Sequence, residues 1–200
     1  MEKSVFDPHL QTGSIDAKIV VALERIAEVF RVSLWEAGKN YGLSPLQIQL
    51  LIFLKFHSPE KCKVSYLAQE FSLSKPTISE AVRTLLKKEL INKETDPADT
   101  RSYSILLTAA GENLAAETAS FANGLLPAFA AWPPERKGHF YGELLQLISG
   151  LQKLGFIGIQ RTCRKCRFFR DGKDGYYCRL LNTPLQTEDL RVDCPEFEAG

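Results

Sequence analysis

Four of the five cysteines lie between positions 163 and 194 of a 200-residue chain, at Cys163, Cys166, Cys178 and Cys194. The run Cys163-Arg164-Lys165-Cys166 sets two thiols at a spacing that lets both grip one metal ion, and Cys178 and Cys194 raise the set to four. Four thiolates suit a closed, tetrahedral zinc site. The second pair is split rather than repeated as Cys-x-x-Cys, so an iron–sulfur cluster stays open as the alternative cofactor. Cys194-Pro195 resembles the Cys-Pro ending of cluster-binding runs, and Phe168, Phe169, Tyr176, Tyr177 and Phe197 are available to shield a cluster. Disulfides or free thiols are the third reading, which a reducing cytosol disfavours. Arg161, Arg164, Lys165, Arg167, Arg170, Lys173 and Arg179 surround the first three thiols and are expected to favour thiolates. A segment so poor in aliphatic residues would take its folding energy from the metal.

A second group of residues suits a different chemistry. Ser74, Lys75, Thr77, Ser79 and Arg83 share the polar side of a segment whose other side carries Ile78, Val82, Leu85 and Leu86. Hydroxyls and cations of this kind contact phosphates and base edges, although solvated helix faces carry the same residue types. The segment is expected to be a helix over 75–89, capped by Ser74, and joined by the turn Ser72-Leu73-Ser74 to a shorter helix over 64–71. Two partly alternating segments, 90–95 and 103–107, flank the polar loop Asp96-Pro97-Ala98-Asp99-Thr100-Arg101 and predict a hairpin. Two short helices followed by a hairpin make a winged helix-turn-helix. Its second helix is sized for the major groove of double-stranded DNA, about 12 Å wide. At the wing tip, Arg101 is placed to enter a narrow minor groove, and Asp99 could hold that arginine or the loop in shape.

The elements that must carry these groups are mostly helical. Ile15, Ile19, Leu23, Ile26, Phe30 and Leu34 recur at helical spacing over 14–40, a stripe apolar enough to want a partner, another chain among the candidates. Gly42 stops that helix. Ser44, Pro45 and Gln47 announce the next one with a capping box, and His57-Ser58-Pro59 ends it. A helix is expected over 108–132, kinked or split at Pro127. A last helix follows over 135–154, with Phe140, Leu144, Leu147, Ile148 and Leu151 facing inward. Residues 1–13 read as a loose leader, 14–155 as one helical domain with its wing, and 156–200 as a cysteine-rich tail. The fold class expected is mainly α with a small β-hairpin wing, a helical dimerisation region and a small metal-stapled C-terminal segment.

The segments Leu67-Ala68, Ser74-Lys75-Pro76-Thr77-Ile78-Ser79, Asp96-Pro97-Ala98-Asp99-Thr100-Arg101 and Leu107-Thr108-Ala109-Ala110-Gly111 closely resemble the MarR family of bacterial transcriptional regulators. The resemblance runs from residue 15 to about 155 and leaves the cysteine tail uncovered. It implies a homodimer built from the first long helix and the last two. It also implies a recognition helix in each of two major grooves with wings in the flanking minor grooves. Members of that family often lose DNA affinity when a small ligand or an oxidant acts between the dimer and DNA-binding regions.

Composition sets the outer bounds. With 44% hydrophobic and 24% charged residues the chain is an ordinary globular one, so a wholly disordered chain is excluded. Lys and Arg number 25 against 24 Asp and Glu, so overall charge argues neither for nor against nucleic acid. No apolar run approaches the roughly 18 residues of a membrane helix, and Met1 to Ser14 carries no signal-peptide pattern; a soluble, cytoplasmic protein with no membrane partner is expected. No phosphate loop, dinucleotide fingerprint or nucleophile elbow is present, and nothing argues for an enzyme. Cys62 reads as a small hydrophobe, His9, His57 and His139 as solvent or loop residues without ligand spacing, and Trp35 and Trp132 as packing residues. The leading expectation is a sequence-specific DNA-binding regulator. Its tail is either a structural staple or a metal or redox sensor. The alternative is an iron–sulfur electron-transfer protein using the winged helix as a scaffold or protein-contact module.

Overall fold

The computed structural model describes residues 4–96, 99–158, 161–172 and 175–200, with the backbone alone at 96 and 99–102. The helical order is α1 (Pro8–Gly13), α2 (Ile15–Lys39), α3 (Pro45–Phe56), α4 (Val64–Glu70) and α5 (Lys75–Lys87), followed by the hairpin β1 (Ile91–Asp96) and β2 (Asp99–Leu107). Then come α6 (Ala109–Thr118), a 3₁₀ segment (Ala119–Phe129) and α7 (Pro134–Lys153). The tail folds into a three-stranded antiparallel sheet, β3 (Phe169–Gly172), β4 (Gly175–Cys178) and β5 (Thr183–Leu185), in that spatial order. Among the described residues no helix is long and apolar enough to cross a membrane.

Side-chain oxygens set most helix starts. The Ser14 hydroxyl accepts from the Ala17 N–H and opens α2, and Ser44 with Gln47 closes a full capping box on α3. Ser74 accepts from the Thr77 N–H at α5, and Thr108 from the Gly111 N–H at α6. The stretch 1–13, expected as a loose leader, contains α1, because Asp7 caps it and Pro8 supplies a helical φ at its first position.

The core lies where α3 packs on α2, α5, α6 and β2. Ile48, Leu50, Leu51, Leu67, Ile78, Leu85, Ile91 and Ile105 are fully buried there. Cys62 belongs to this core at 2% exposure, as a small hydrophobe should, and burial pushes its thiol up to about 11. The register runs from Ile91 opposite Leu107 to Thr95 opposite Tyr103, and the Ile105 N–H donates to the Cys62 carbonyl.

Two expectations need correcting. The helix over 108–132 does not run to Pro127. The α form stops at Thr118 and a 3₁₀ path follows through Ser120, Asn123 and Gly124, residues of weak helix propensity. On α7, the expected inward stripe is only partly covered: Phe140 and Leu147 are exposed, and Leu144, Ile148 and Leu151 half-buried. Gly138 and Leu145 are buried instead, because the tail lies against that side and Glu188 sits on Gly138. The α2 stripe is likewise largely uncovered within one chain: Ile15, Ile19, Ile26 and Phe30 are exposed, and Leu34 is its one buried member.

Candidate nucleic-acid interface and cysteine site

The outward face of α5 is set by its buried one. Ile78, Ala81, Val82 and Leu85 point into the core, so Lys75, Thr77 and Arg83 emerge on the solvent side with Ser79 half-buried at the margin. Ser74 is committed locally: its hydroxyl caps the helix and shares a 2.8 Å hydrogen bond with the Thr77 hydroxyl. Arg83 is paired with Glu80 one turn earlier, both well exposed. The side chains of Asp99 and Arg101 lie outside the described residues. Their backbone belongs to β2, with Asp99 opposite Asp96.

The wing is joined to α6 by the run Leu107-Thr108-Ala109-Ala110-Gly111. The Thr108 N–H donates to the Leu90 carbonyl and its hydroxyl to the Glu89 carbonyl, while the same hydroxyl caps α6. Gly111 completes the joint: a Cβ there would stand 1.9 Å from the Leu90 carbonyl oxygen, so only glycine lets helix and wing approach this closely.

In the tail, all four expected thiols line one apolar pocket together with Phe168, Phe169, Leu180, Leu181, Leu185 and Glu196. Cys163 and Cys166 sit on a 3₁₀ knuckle, where the Cys166 N–H donates to the Cys163 carbonyl and the Phe169 N–H to that of Cys166. Cys178 ends β4, between Phe169 and Thr183 on its neighbours. Cys194 is tied back by its N–H to the Arg161 carbonyl, and the Arg191 N–H donates to the Cys163 sulfur at 3.2 Å. The thiols share a pocket without being closed around a point: among the described residues no group of three or more His, Cys, Asp or Glu forms a ready metal cage.

Several of the basic residues expected to favour thiolates are engaged elsewhere, and Lys173 lies outside the described residues. Arg164 pairs with Tyr176 and Asp171, Arg167 with Glu198, and Arg179 donates to the Arg167 carbonyl. The cation at the thiols is Arg191, whose guanidinium lies 3.8 Å from the Cys194 sulfur. Burial nevertheless pushes the Cys194 thiol up.

Arg161 has the least expected role. Its side chain is 4% exposed and grips Glu70 of α4 with both terminal nitrogens, at 2.5 and 3.1 Å. Its other bonds reach Asp193 at 2.6 and 3.1 Å and the Tyr66 hydroxyl at 3.1 Å, and its charge lies over the Phe53 ring. Burial works against the charge. Asp193, Glu70 and Tyr66 more than reverse that and raise the guanidinium above its usual range. Asp193 is held below the ordinary carboxylate range, burial being outweighed by Arg161 and His57. His57, expected as a solvent or loop residue, stacks on Phe53 at 3.8 Å, places Nδ1 2.9 Å from the Phe53 carbonyl and brings Nε2 within 2.9 Å of Asp193. The sequence holds no local signal for this cluster, since Glu70 and Asp193 are 91 and 32 residues from Arg161.

A sequence model of the MarR family matches residues 41–102, the stretch holding α3, both helices of the helix-turn-helix and most of the wing. Among solved structures, the S. aureus MepR–DNA complex superposes with a TM-score of 0.59 at 21% identity, covering 66% of this chain and 97% of that one. S. aureus MepR in its DNA-binding conformation gives 0.58 at 21%, covering 66% and 98%. A MarR transcriptional regulator from Methanosarcina mazei Go1 gives 0.57 at 19%, covering 67% and 96%. No curated protein matches the sequence. These likenesses show a common fold across about two thirds of the chain. Residues 41–102 are thus similar in sequence to the MarR family, and the solved MarR-type structures share the fold.

Proposed function

We propose that the protein is a sequence-specific, homodimeric regulator that reads double-stranded DNA with α5 in the major groove and the wing in the minor groove. The observation that carries this reading is the outward face of α5, where Lys75, Thr77 and Arg83 stand free of the core on a helix anchored from behind by Ile78, Val82 and Leu85. Ser74 and Lys75 take phosphates, Thr77, Ser79 and Arg83 take base edges, and Arg101 takes the minor groove with Asp99 shaping the loop. Arg83 must leave Glu80 to do so, an exchange of one exposed ion pair for another that costs little. Solved MepR is described in complex with DNA, which supports the assignment by likeness of fold.

The second copy of the chain covers the apolar stripes of α2 and α7, which include Ile19, Ile26, Phe30, Phe140 and Leu147 and stand open within one protomer. Zinc is the metal assigned to Cys163, Cys166, Cys178 and Cys194. The pocket they line is apolar and offers four sulfurs, the donor set zinc prefers. DNA affinity in this reading responds to a signal that acts on the dimer or on the tail.

The test is a shift assay at controlled salt with duplexes enriched from a random-sequence pool. Arg83→Ala should cost roughly 1–3 kcal/mol and relax sequence preference. Lys75→Ala should weaken all duplexes alike and reduce the salt slope by about one. If both variants bind as the unaltered protein does, α5 is not the reading helix.

A further inference from the structure

We propose that the four-thiol site is a zinc-held strap: its occupancy fixes the tail across the helix-turn-helix and α7, and loss of the metal releases both contacts. The consequence for DNA affinity rests on the reading of α5 as the DNA-contacting helix.

The tail touches two parts of the molecule. On the helix-turn-helix, Arg161 binds Glu70 and Tyr66 of α4, and the Gly158 N–H donates to the Ser72 hydroxyl at 3.3 Å in the turn before α5. On α7, the Tyr141 hydroxyl donates to the Leu190 carbonyl at 2.5 Å, and the tail's Glu188 lies against Gly138. A segment bound to both fixes their relative placement.

Both contacts hang on two short stretches that carry thiols. Arg161 is two residues from Cys163; Leu190 and Asp193 precede Cys194 by four residues and one. The stretches are joined by the Cys163 N–H to the Arg191 carbonyl at 3.2 Å and the Cys194 N–H to the Arg161 carbonyl at 3.0 Å. A zinc ion held by Cys163 and Cys194 cross-links them at that joint, with Cys166 and Cys178 completing the set. The Arg191 N–H already donates to the Cys163 sulfur, as a donor supporting a thiolate ligand would. Each thiol gives up its proton as its Zn–S bond forms. Apolar burial cannot replace the ion, since among the described residues from 163 onward Leu190 is the one buried hydrophobic side chain.

The direction follows from support. Glu70 ends α4, one turn of chain before the residues assigned to phosphate. The strap carries Asp193 with Arg161, so docking leaves the local net charge unchanged, but Arg161 ties down Glu70 and Tyr66 and so holds α4 in place. With the strap released, α4 and the turn before α5 lose that tie. Loaded protein therefore binds DNA more tightly.

The experiment uses the full chain, stripped with a chelator under reducing conditions and reloaded with zinc alone. One zinc per chain is expected, lost on Cys163→Ser together with Cys194→Ser. Loading should slow amide hydrogen exchange over residues 64–70 and raise affinity for a pool-enriched duplex by roughly 5- to 150-fold. Arg161→Met, with Glu70→Gln as a second and milder variant, should keep the zinc and lose both responses. Equal exchange and equal affinity in stripped and loaded protein overturn the strap, as does iron with acid-labile sulfide in place of zinc. If exchange responds to zinc while neither form binds any duplex, the strap stands and the DNA reading falls.

Discussion

Gly111→Ala isolates the joint between wing and helix. In an open helix interior this change stabilises by roughly 0.8–1 kcal/mol, because alanine is the better helix former. Gly111 is not in an open position. The new Cβ would lie 1.9 Å from the Leu90 carbonyl oxygen and 2.9 Å from its carbon, both backbone atoms held by the Thr108 N–H and its neighbours. Ordinary contact needs well over 3 Å, so α6 and the β1 approach must part by more than 1 Å, or Thr108 must release its bonds to Glu89 and Leu90. Forced overpacking of this kind costs about 1–3 kcal/mol, and loss of the Thr108 cap adds about 1 kcal/mol. After the propensity gain is subtracted, a net loss of about 1–3 kcal/mol is expected. Gly150→Ala on α7, with nothing within 4 Å, is the control and should gain about 0.5–1 kcal/mol. Urea unfolding of both variants, monitored by far-ultraviolet circular dichroism, reads the difference. A Gly111→Ala protein as stable as its Gly150→Ala counterpart would refute the close approach and the account of the wing joint with it.

Ile19→Glu with Ile26→Glu places two charges on the open stripe of α2, where Ile26 is 49% exposed in the single chain, and should convert dimer to monomer in sedimentation velocity while leaving the helical signal intact; an unchanged sedimentation coefficient would remove α2 from the interface. Burial holds the Cys62 thiol at about 11, so at pH 8 only about one thiol in a thousand is ionised. Iodoacetamide should therefore leave Cys62 unmodified in the folded protein and label it once the chain is unfolded, as mass spectrometry of the Cys62 peptide will tell; modification of the native protein on the timescale of the unfolded one would contradict its place in the core.

How much of this was legible in sequence depends on the range over which each feature is determined. Caps are local, and Ser14, Ser44, Ser74 and Thr108 each start the helix that their spacing to the apolar stripe announces. The helix-turn-helix and hairpin follow from periodicity within a few residues, so α4, α5 and β1 lie close to where the pattern put them, while β2 starts at Asp99, inside the stretch expected as a loop. The 3₁₀ path after Thr118 was hidden because Leu125 and Phe129 keep a helical spacing even where the backbone tightens. Arg161 looked like one more tail cation. Its role depends on Glu70, Tyr66 and Asp193 arriving from distant parts of the chain, and nothing in residues 155–170 distinguishes it from Arg164 or Arg167.

The two faces of α7 would let one helix serve both the proposed dimer and the proposed strap. Gly138, Tyr141, Gly142, Leu145, Ser149 and Gln152 lie on the side that meets the tail. Phe140, Leu144, Leu147 and Leu151 recur at steps of three and four on a narrow stripe. At about 100° per residue that stripe is centred roughly 140° around the helix from the first face. The small residues explain the division. Gly138 and Gly142 leave room for Glu188 and Thr187, so the tail can lie close to the helix axis, while Phe140 and Leu147 stay exposed. A second copy seated on the large stripe would therefore not compete with the tail, and a tail that lets go would not by itself open the proposed dimer. What its release changes is the tie from α7 to α4, since the same tail segments that hold Tyr141 through Leu190 also hold Glu70 through Arg161. A dimer of the proposed kind would keep its partner and lose the fixed spacing of its proposed reading helices, which is the quantity a two-fold operator measures.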